Sequence, residues 1–141
     1  MTAYVVDASV AVKWYLPEEH SQQAATLLAP DSVLWAPDLI YVEVGNVFWK
    51  RAQRGELDHE RAKLFLSDFI ASPLRIEDSP LLLEKAWDIA SRYGRSVYDS
   101  LYLSLADKLG VPMVTADLRL YNAMQDTVLK QNIIWVENSA I

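Results

Sequence analysis

Short apolar runs alternate along this chain with longer stretches in which apolar residues recur every three or four positions. An unbroken apolar run with β-branched residues makes a buried strand, whereas the three-to-four spacing gathers side chains on one face of a helix. Ala3 to Val6 is the first such run. After Asp7 the segment A-S-V-A-V-K-W-Y reads as a helix ended by Leu16-Pro17, so a buried strand turns directly into a helix. A second helix is expected from His20 to Ala29, closed by Pro30-Asp31, and a second short strand from Val33 to Trp35. Pro37-Asp38 opens a longer helix reaching about Gln53, with Gly55 as its stop. Asp58 is placed to cap a helix from His59 to Ala71.

In the second half, Arg75-Ile76 is a short strand, and Ser79-Pro80 has the cap-then-proline pattern of a helix that runs to Tyr93 before Gly94. Val97 to Leu109 is another helix, stopped by Gly110. Val111 to Thr115 reads as a strand, Leu118 to about Gln125 as a helix, and Asn132 to Val136 as a last strand. Short apolar strands alternating with amphipathic helices predict a short parallel sheet covered on both faces, a three-layer α/β/α sandwich. Pro and Gly fall singly and nothing repeats, so one domain is expected over residues 1–141.

Composition narrows the chemistry. With 141 residues, 52% apolar and 23% charged, the chain has material for one core and needs no disulfide or structural metal to hold it. Cysteine is absent, which excludes thiol nucleophiles, iron–sulfur clusters and thiolate zinc sites, and two histidines cannot build a three-imidazole zinc. Oxygen donors are what remain for metal chemistry. The longest stretch free of Asp, Glu, Lys and Arg is eleven residues, His20 to Pro30, against the roughly 20 apolar residues of a membrane span. Asp7 interrupts the first apolar stretch and no basic flank precedes it, so a secretory signal is not expected and the cytoplasm is.

Four acidic residues break the apolar pattern. Asp7 and Asp117 each fall just past a short strand and just before a helix, at the carboxyl edge of a parallel sheet, where open α/β sheets bind ligands. Either alone reads first as a helix N-cap, and it is the two together at equivalent edges that point to a site. Glu43 lies three residues after Ile40 and four before Val47, which puts it on the apolar stripe of its helix. Asp99 is stacked in the same way with Tyr102, Leu103 and Ala106. A buried ion pair is the competing account of each, but the positions three and four away from Glu43 hold Leu39, Ile40, Asn46 and Val47. An all-oxygen set of this kind suits Mg²⁺ or Mn²⁺ and phosphoryl chemistry, with no side-chain nucleophile required.

The stretches V-V-D-A-S-V-A-V-K-W, P-D-L-I-Y-V-E-V-G-N-V-F-W-K, Y-D-S-L-Y-L-S-L-A and V-T-A-D-L-R-L-Y-N-A together resemble the PIN-domain ribonucleases, and among them the VapC-type toxins of toxin–antitoxin pairs, across essentially the whole chain. The resemblance implies a PIN-like fold and a metal-dependent endoribonuclease that leaves a 5′-phosphate and a 3′-hydroxyl. It implies that Asp7, Glu43, Asp99 and Asp117 hold Mg²⁺ or Mn²⁺, and that Thr115 is the hydroxyl that positions a carboxylate or water. Ser9 matches the small polar residue after the first acid, and Asn46 a polar residue beside the site, although an ordinary helix amide accounts for it equally. The partners implied are an RNA substrate, a small antitoxin that covers the site, and a second copy of the chain. A PIN-like module that binds RNA or protein without cutting is the alternative.

Other readings are weaker. Neither His20 nor His59 sits in a motif that supplies a base to Ser9 or Thr115, and no G-x-S-x-G elbow exists, which argues against a serine hydrolase. An aspartyl-phosphate enzyme built on Asp7 lacks its second Asp at position 9. The formal charge of −6 disfavours a polyanionic partner at first sight, but two divalent cations at the quartet would bring it to −2. Lys13, Lys50, Arg51, Arg54, Arg92, Arg95 and Arg119 are a discontinuous basic set for RNA phosphates, with Arg95 and Arg119 best placed; solvated helix faces are the plainer account of most. The five tryptophans read chiefly as core, and Trp14-Tyr15 and Phe48-Trp49 as the pairs expected to overflow it into a protein–protein surface.

Overall fold

The N-terminal apolar run enters the middle of a parallel sheet, where both of its faces are covered. In the computed structural model, which describes residues 2–139, strand β1 (Thr2–Val6) lies beside β2 (Ser32–Pro37) on one side and β4 (Met113–Thr115) on the other. Val5 sits opposite both Trp35 and Met113. Strands β3 (Arg75–Glu77) and β5 (Ile133–Trp135) form the edges, and the order β3-β2-β1-β4-β5 is parallel throughout.

This order fixes where a site can form. The chain builds outward from β1 through β2 to β3, then returns across the sheet to add β4 and β5 on the far side of β1. Successive connections therefore leave β1 and β4 in opposite directions, opening a crevice at their carboxyl ends. Right-handed crossovers set α1 (Ala8–Ala11), α2 (Ser21–Thr26), α3 (Leu39–Gln53) and α4 (His59–Ile70) over one face. They set α5 (Leu83–Tyr93), α6 (Val97–Leu109) and α7 (Leu118–Met124) over the other. The three-layer arrangement expected from the alternation is the one observed.

Helix α6 is the most enclosed, with Ser100 to Ala106 buried without a break. Gly94 (φ 67°) ends α5 and Gly110 (φ 66°) ends α6 in left-handed conformations that residues with a Cβ rarely adopt. Ile40, Val44, Phe48 and Ala52 make the buried stripe of α3 at a spacing of four. No helix among the described residues is long and apolar enough to cross a membrane.

Several boundaries differ from expectation for local reasons. The helix expected from His20 to Ala29 is confined to Ser21–Thr26, because His20 is left-handed (φ 67°) and the N–H groups of Leu27, Leu28 and Ala29 bond three residues back, tightening the last turn. The helix after Asp7 tightens likewise into a 3-10 turn at Val12–Trp14. Ser79 does not cap α5. Residues Ser79–Leu81 form a 3-10 turn, and the Ser79 N–H and hydroxyl both donate to the Asp38 carboxylate. β4 starts at Met113 because the Val111 N–H bonds the Ala106 carbonyl to close α6, and Pro112 has no N–H to offer.

The aromatic surface also falls elsewhere than expected. Trp14 and Tyr15 pack against Phe69, the Trp14 indole donates to the Ala24 carbonyl at 2.9 Å, and Phe48 is buried. Of the two pairs expected at the surface, only Trp49 emerges fully. A second exposed apolar set, Leu81, Leu83, Trp87 and Tyr98, lies around the start of α5 and α6.

Candidate active site

At the crevice between β1 and β4, Asp7 and Asp117 serve as caps and as cleft carboxylates at once. Asp7 Oδ1 accepts from the Val10 N–H at 3.2 Å, opening α1. Asp117 Oδ1 accepts from the N–H groups of Arg119 and Leu120 at 3.1 and 3.3 Å, opening α7. Glu43 comes from the second turn of α3 and Asp99 from the first turn of α6. All four line one cleft of about 270 Å³, together with Ser9, Asn46 and Tyr102. A hollow of about 200 Å³ bounded by Trp14, Leu27, Leu34 and Leu74 has no titratable side chain in its wall.

Two hydroxyls knit the strand ends together. Thr115, fully buried, donates to Asp7 Oδ2 at 2.5 Å and accepts from the Asp117 N–H at 3.1 Å. Ser9 donates to Asp7 Oδ1 at 2.6 Å and accepts from the Ala116 N–H at 2.9 Å. Both Asp7 oxygens are therefore held, Oδ2 by Thr115 on β4 and Oδ1 by Ser9 and Val10 on α1. Across the cleft the Tyr102 hydroxyl, on a side chain only 3% exposed, donates to Glu43 Oε1 at 2.6 Å. Tyr102 in this role is absent from the sequence reading. The available signal is its position three residues after Asp99, on the same helical face. Ser96 is a further one: S-V-Y-D is a capping box, and the Asp99 N–H donates to Ser96 Oγ at 3.0 Å.

Burial and mutual charge set the electrostatics. Burial pushes the Asp7 carboxyl from 3.8 up to about 6, against the hydrogen bonds from Ser9, Thr115 and Val10, with the Asp117 charge adding to the rise. Glu43 is raised by burial and by Asp99, in spite of the Tyr102 hydrogen bond. Asp99 is raised by burial and by Asp117, while Arg95, Ser96 and Arg119 pull the other way. Burial, reinforced by the Glu43 charge, holds Tyr102 protonated. Among the described residues none of the four carboxylates makes an ion pair, which removes the competing account of Glu43 and Asp99.

The donor set fits a hard divalent cation in kind: four carboxylates and an amide, with neither sulfur nor imidazole. It is not a closed cage. Among the described residues no three acidic or imidazole side chains converge on one ion position, and both Asp7 oxygens already accept hydrogen bonds.

Residues 4–124 match the family model described as the PIN domain. The chain belongs to the PIN domain family. It is 36% identical over 118 residues to "Ribonuclease VapC3" of Pyrobaculum aerophilum, covering 82% of this chain and 90% of that protein. The fold superposes on the crystal structure of PAE2754 from Pyrobaculum aerophilum with a TM-score of 0.74 at 24% identity, covering 96% of this chain and 85% of that one. A toxin–antitoxin complex from Klebsiella pneumoniae contains a chain similar in fold, with a TM-score of 0.59 at 13% identity, covering 93% of this chain and 95% of that chain. The expected fold and family are thus those of this PIN domain.

Of the basic residues expected near RNA, Lys13 and Arg51 are committed elsewhere, pairing with Glu18 at 3.0 and 2.6 Å. Arg92 lies over the Tyr93 ring, 5.6 Å from its centroid. Arg95 and Arg119 make no ion pair among the described residues.

Proposed function

We propose that this PIN domain is a VapC-type ribonuclease that hydrolyses RNA phosphodiester bonds with Mg²⁺ or Mn²⁺ and acts as the toxin of a toxin–antitoxin pair. The supporting observation is the meeting of Asp7, Glu43, Asp99 and Asp117, drawn from four separate elements, in one cleft at the switch point of the sheet. Burial first, and neighbouring carboxylate charge second, raise the cost of ionising Asp7, Glu43 and Asp99, and among the described residues none of the four carboxylates makes an ion pair. A fold has reason to keep such a cluster when a cation is bound there.

In this reading Asp7, Glu43, Asp99 and Asp117 hold the metal. Ser9 and Thr115 orient the Asp7 carboxylate, and Tyr102 orients Glu43. Bound divalent metal supplies Lewis-acid stabilisation of the charge that builds on the phosphodiester as water attacks. Asn46, on the cleft wall one turn beyond Glu43, offers an amide to substrate or water. A small antitoxin, a second copy of the chain, a cytoplasmic setting and a single nuclease domain over residues 1–141 belong to the same proposal; for the antitoxin, the fold's likeness to a chain of a toxin–antitoxin complex is the support.

The test is cleavage of total RNA by purified protein with Mn²⁺ and with EDTA, beside Asp99→Asn. Cleavage with Mn²⁺ alone, lost in the variant, is expected. Cleavage that persists in excess chelator, or that Asp99→Asn leaves intact, overturns the proposal.

A further inference from the structure

Arg95 is the single residue between Gly94, the left-handed end of α5, and Ser96, the cap of α6. Its Nε is buried and donates to nothing, and its guanidinium makes no ion pair among the described residues. Buried N–H groups on a charged side chain nearly always find an acceptor, because a buried donor left unmade keeps the full cost of its lost hydration. Arginine used for structure in this same chain behaves in that way: Arg51 reaches both Glu18 and Glu56. Arg95 is flanked by helix ends on both sides yet makes no ion pair among the described residues.

Its charge is nevertheless felt at Asp99, one turn further along, and so is that of Arg119, the second residue of α7. Arg119 is tied by its main chain, whose N–H donates to Asp117, and its side chain is exposed. Arg95 stands one helical turn before Asp99 and Arg119 two residues after Asp117, so two guanidinium groups without an ion pair among the described residues are carried next to two carboxylates of a cleft whose own wall has no cation. Guanidinium binds phosphate through two parallel N–H···O bonds, a geometry matched to a nucleic-acid backbone.

We propose that Arg95 and Arg119 grip the RNA phosphate next to the scissile one, fixing the strand's register over the carboxylates. The inference rests on the ribonuclease reading and names how that site holds its substrate. It gives a net-negative protein a local means of binding a polyanion, in keeping with the rule that phosphate contacts position the strand.

The test compares wild type, Arg95→Gln, Arg95→Lys and Arg119→Gln on a short fluorogenic single-stranded RNA that the wild type cleaves with Mn²⁺. Each Gln variant is expected to raise KM about tenfold with kcat within about twofold, the loss of one hydrogen-bonded charge pair. The slope of log kcat/KM against log salt should flatten by about 0.7 per lost phosphate contact. Arg95→Lys should recover part of the KM, and calorimetric Mn²⁺ affinity should shift far less than KM in every variant. If Arg95→Gln does not fold, Arg119→Gln at its exposed position carries the same readouts. Unchanged KM and salt slope in a wild-type enzyme that cleaves overturns the clamp and leaves the nuclease standing. A shifted pH profile with unchanged KM shows Arg95 acting only through Asp99 and likewise overturns it. A wild type that cleaves no RNA with Mn²⁺ overturns both readings.

Discussion

Asp7→Asn isolates the electrostatic burden that the cleft places on the fold. Asp7 is 6% exposed and titrates at about 6 in the folded chain, against 3.8 as the ordinary value. The folded state therefore keeps a proton that the unfolded chain has released. The stabilisation is full below the unfolded value and is lost as pH rises through about 6. The whole gap corresponds to about 3 kcal/mol, most of it lost between pH 4 and pH 7.5.

Asparagine has nearly the shape of aspartate and cannot ionise. Its amide would donate to Thr115 Oγ1 where the carboxylate now accepts from it, and its carbonyl would still take the Ser9 hydroxyl and the Val10 N–H. Urea denaturation followed by circular dichroism, at both pH values and with divalent cations chelated, gives the unfolding free energies of variant and wild type. Groups that titrate alike in both cancel in the difference. We expect the variant to gain on wild type by about 2 kcal/mol from pH 4 to pH 7.5. Added Mn²⁺ at pH 7.5 should stabilise the wild type far more than the variant. A difference that stays flat with pH, or a variant that falls behind by several kcal/mol at pH 7.5, would refute the reasoning, because Asp7 would then be an ionised and well-partnered structural group.

Tyr102→Phe removes the hydrogen bond that orients Glu43 and lowers its pKa; Mn²⁺ affinity by calorimetry should fall about tenfold, with the acid limb of the activity profile moved to higher pH. Glu18→Ala strips Lys13 and Arg51 of their shared partner, and with the Lys13 side chain only 11% exposed it should lower urea stability by about 1–3 kcal/mol while leaving Mn²⁺ affinity unchanged. Trp87, 65% exposed beside Leu83 on α5, offers an apolar patch to the second copy proposed above, rather than the Trp14-Tyr15 and Phe48-Trp49 pairs expected from sequence; if it is used, Trp87→Glu should lower the mass seen by light scattering relative to wild type with little change in melting temperature.

The amino-acid sequence alone determines much of the local structure, because helix caps, stops and stripes are carried by residues three or four apart. Asp58 capping α4, Gly94 and Gly110 closing α5 and α6, and the four-residue stripe of α3 all follow from such spacing. The alternation of these elements also settles the parallel three-layer class. That Asp7, Glu43, Asp99 and Asp117 sit awkwardly among apolar neighbours is legible in the same way. Helix ends were less legible at His20, which turns left-handed, and at Ser79, whose N–H bonds Asp38, 41 positions away.

Only the tertiary structure decides which awkward residues meet. Thr115 reaches Asp7 across 108 positions, Ser9 reaches Ala116 across 107, and Tyr102 reaches Glu43 across 59. Those distances close because the chain reverses direction about β1, and strand order is a property of how whole faces pack. The same holds for burial. Trp14 and Trp87 are alike as sequence, but one lies against Phe69 under a helix and the other faces water, since a side chain's exposure depends on which neighbouring element covers it.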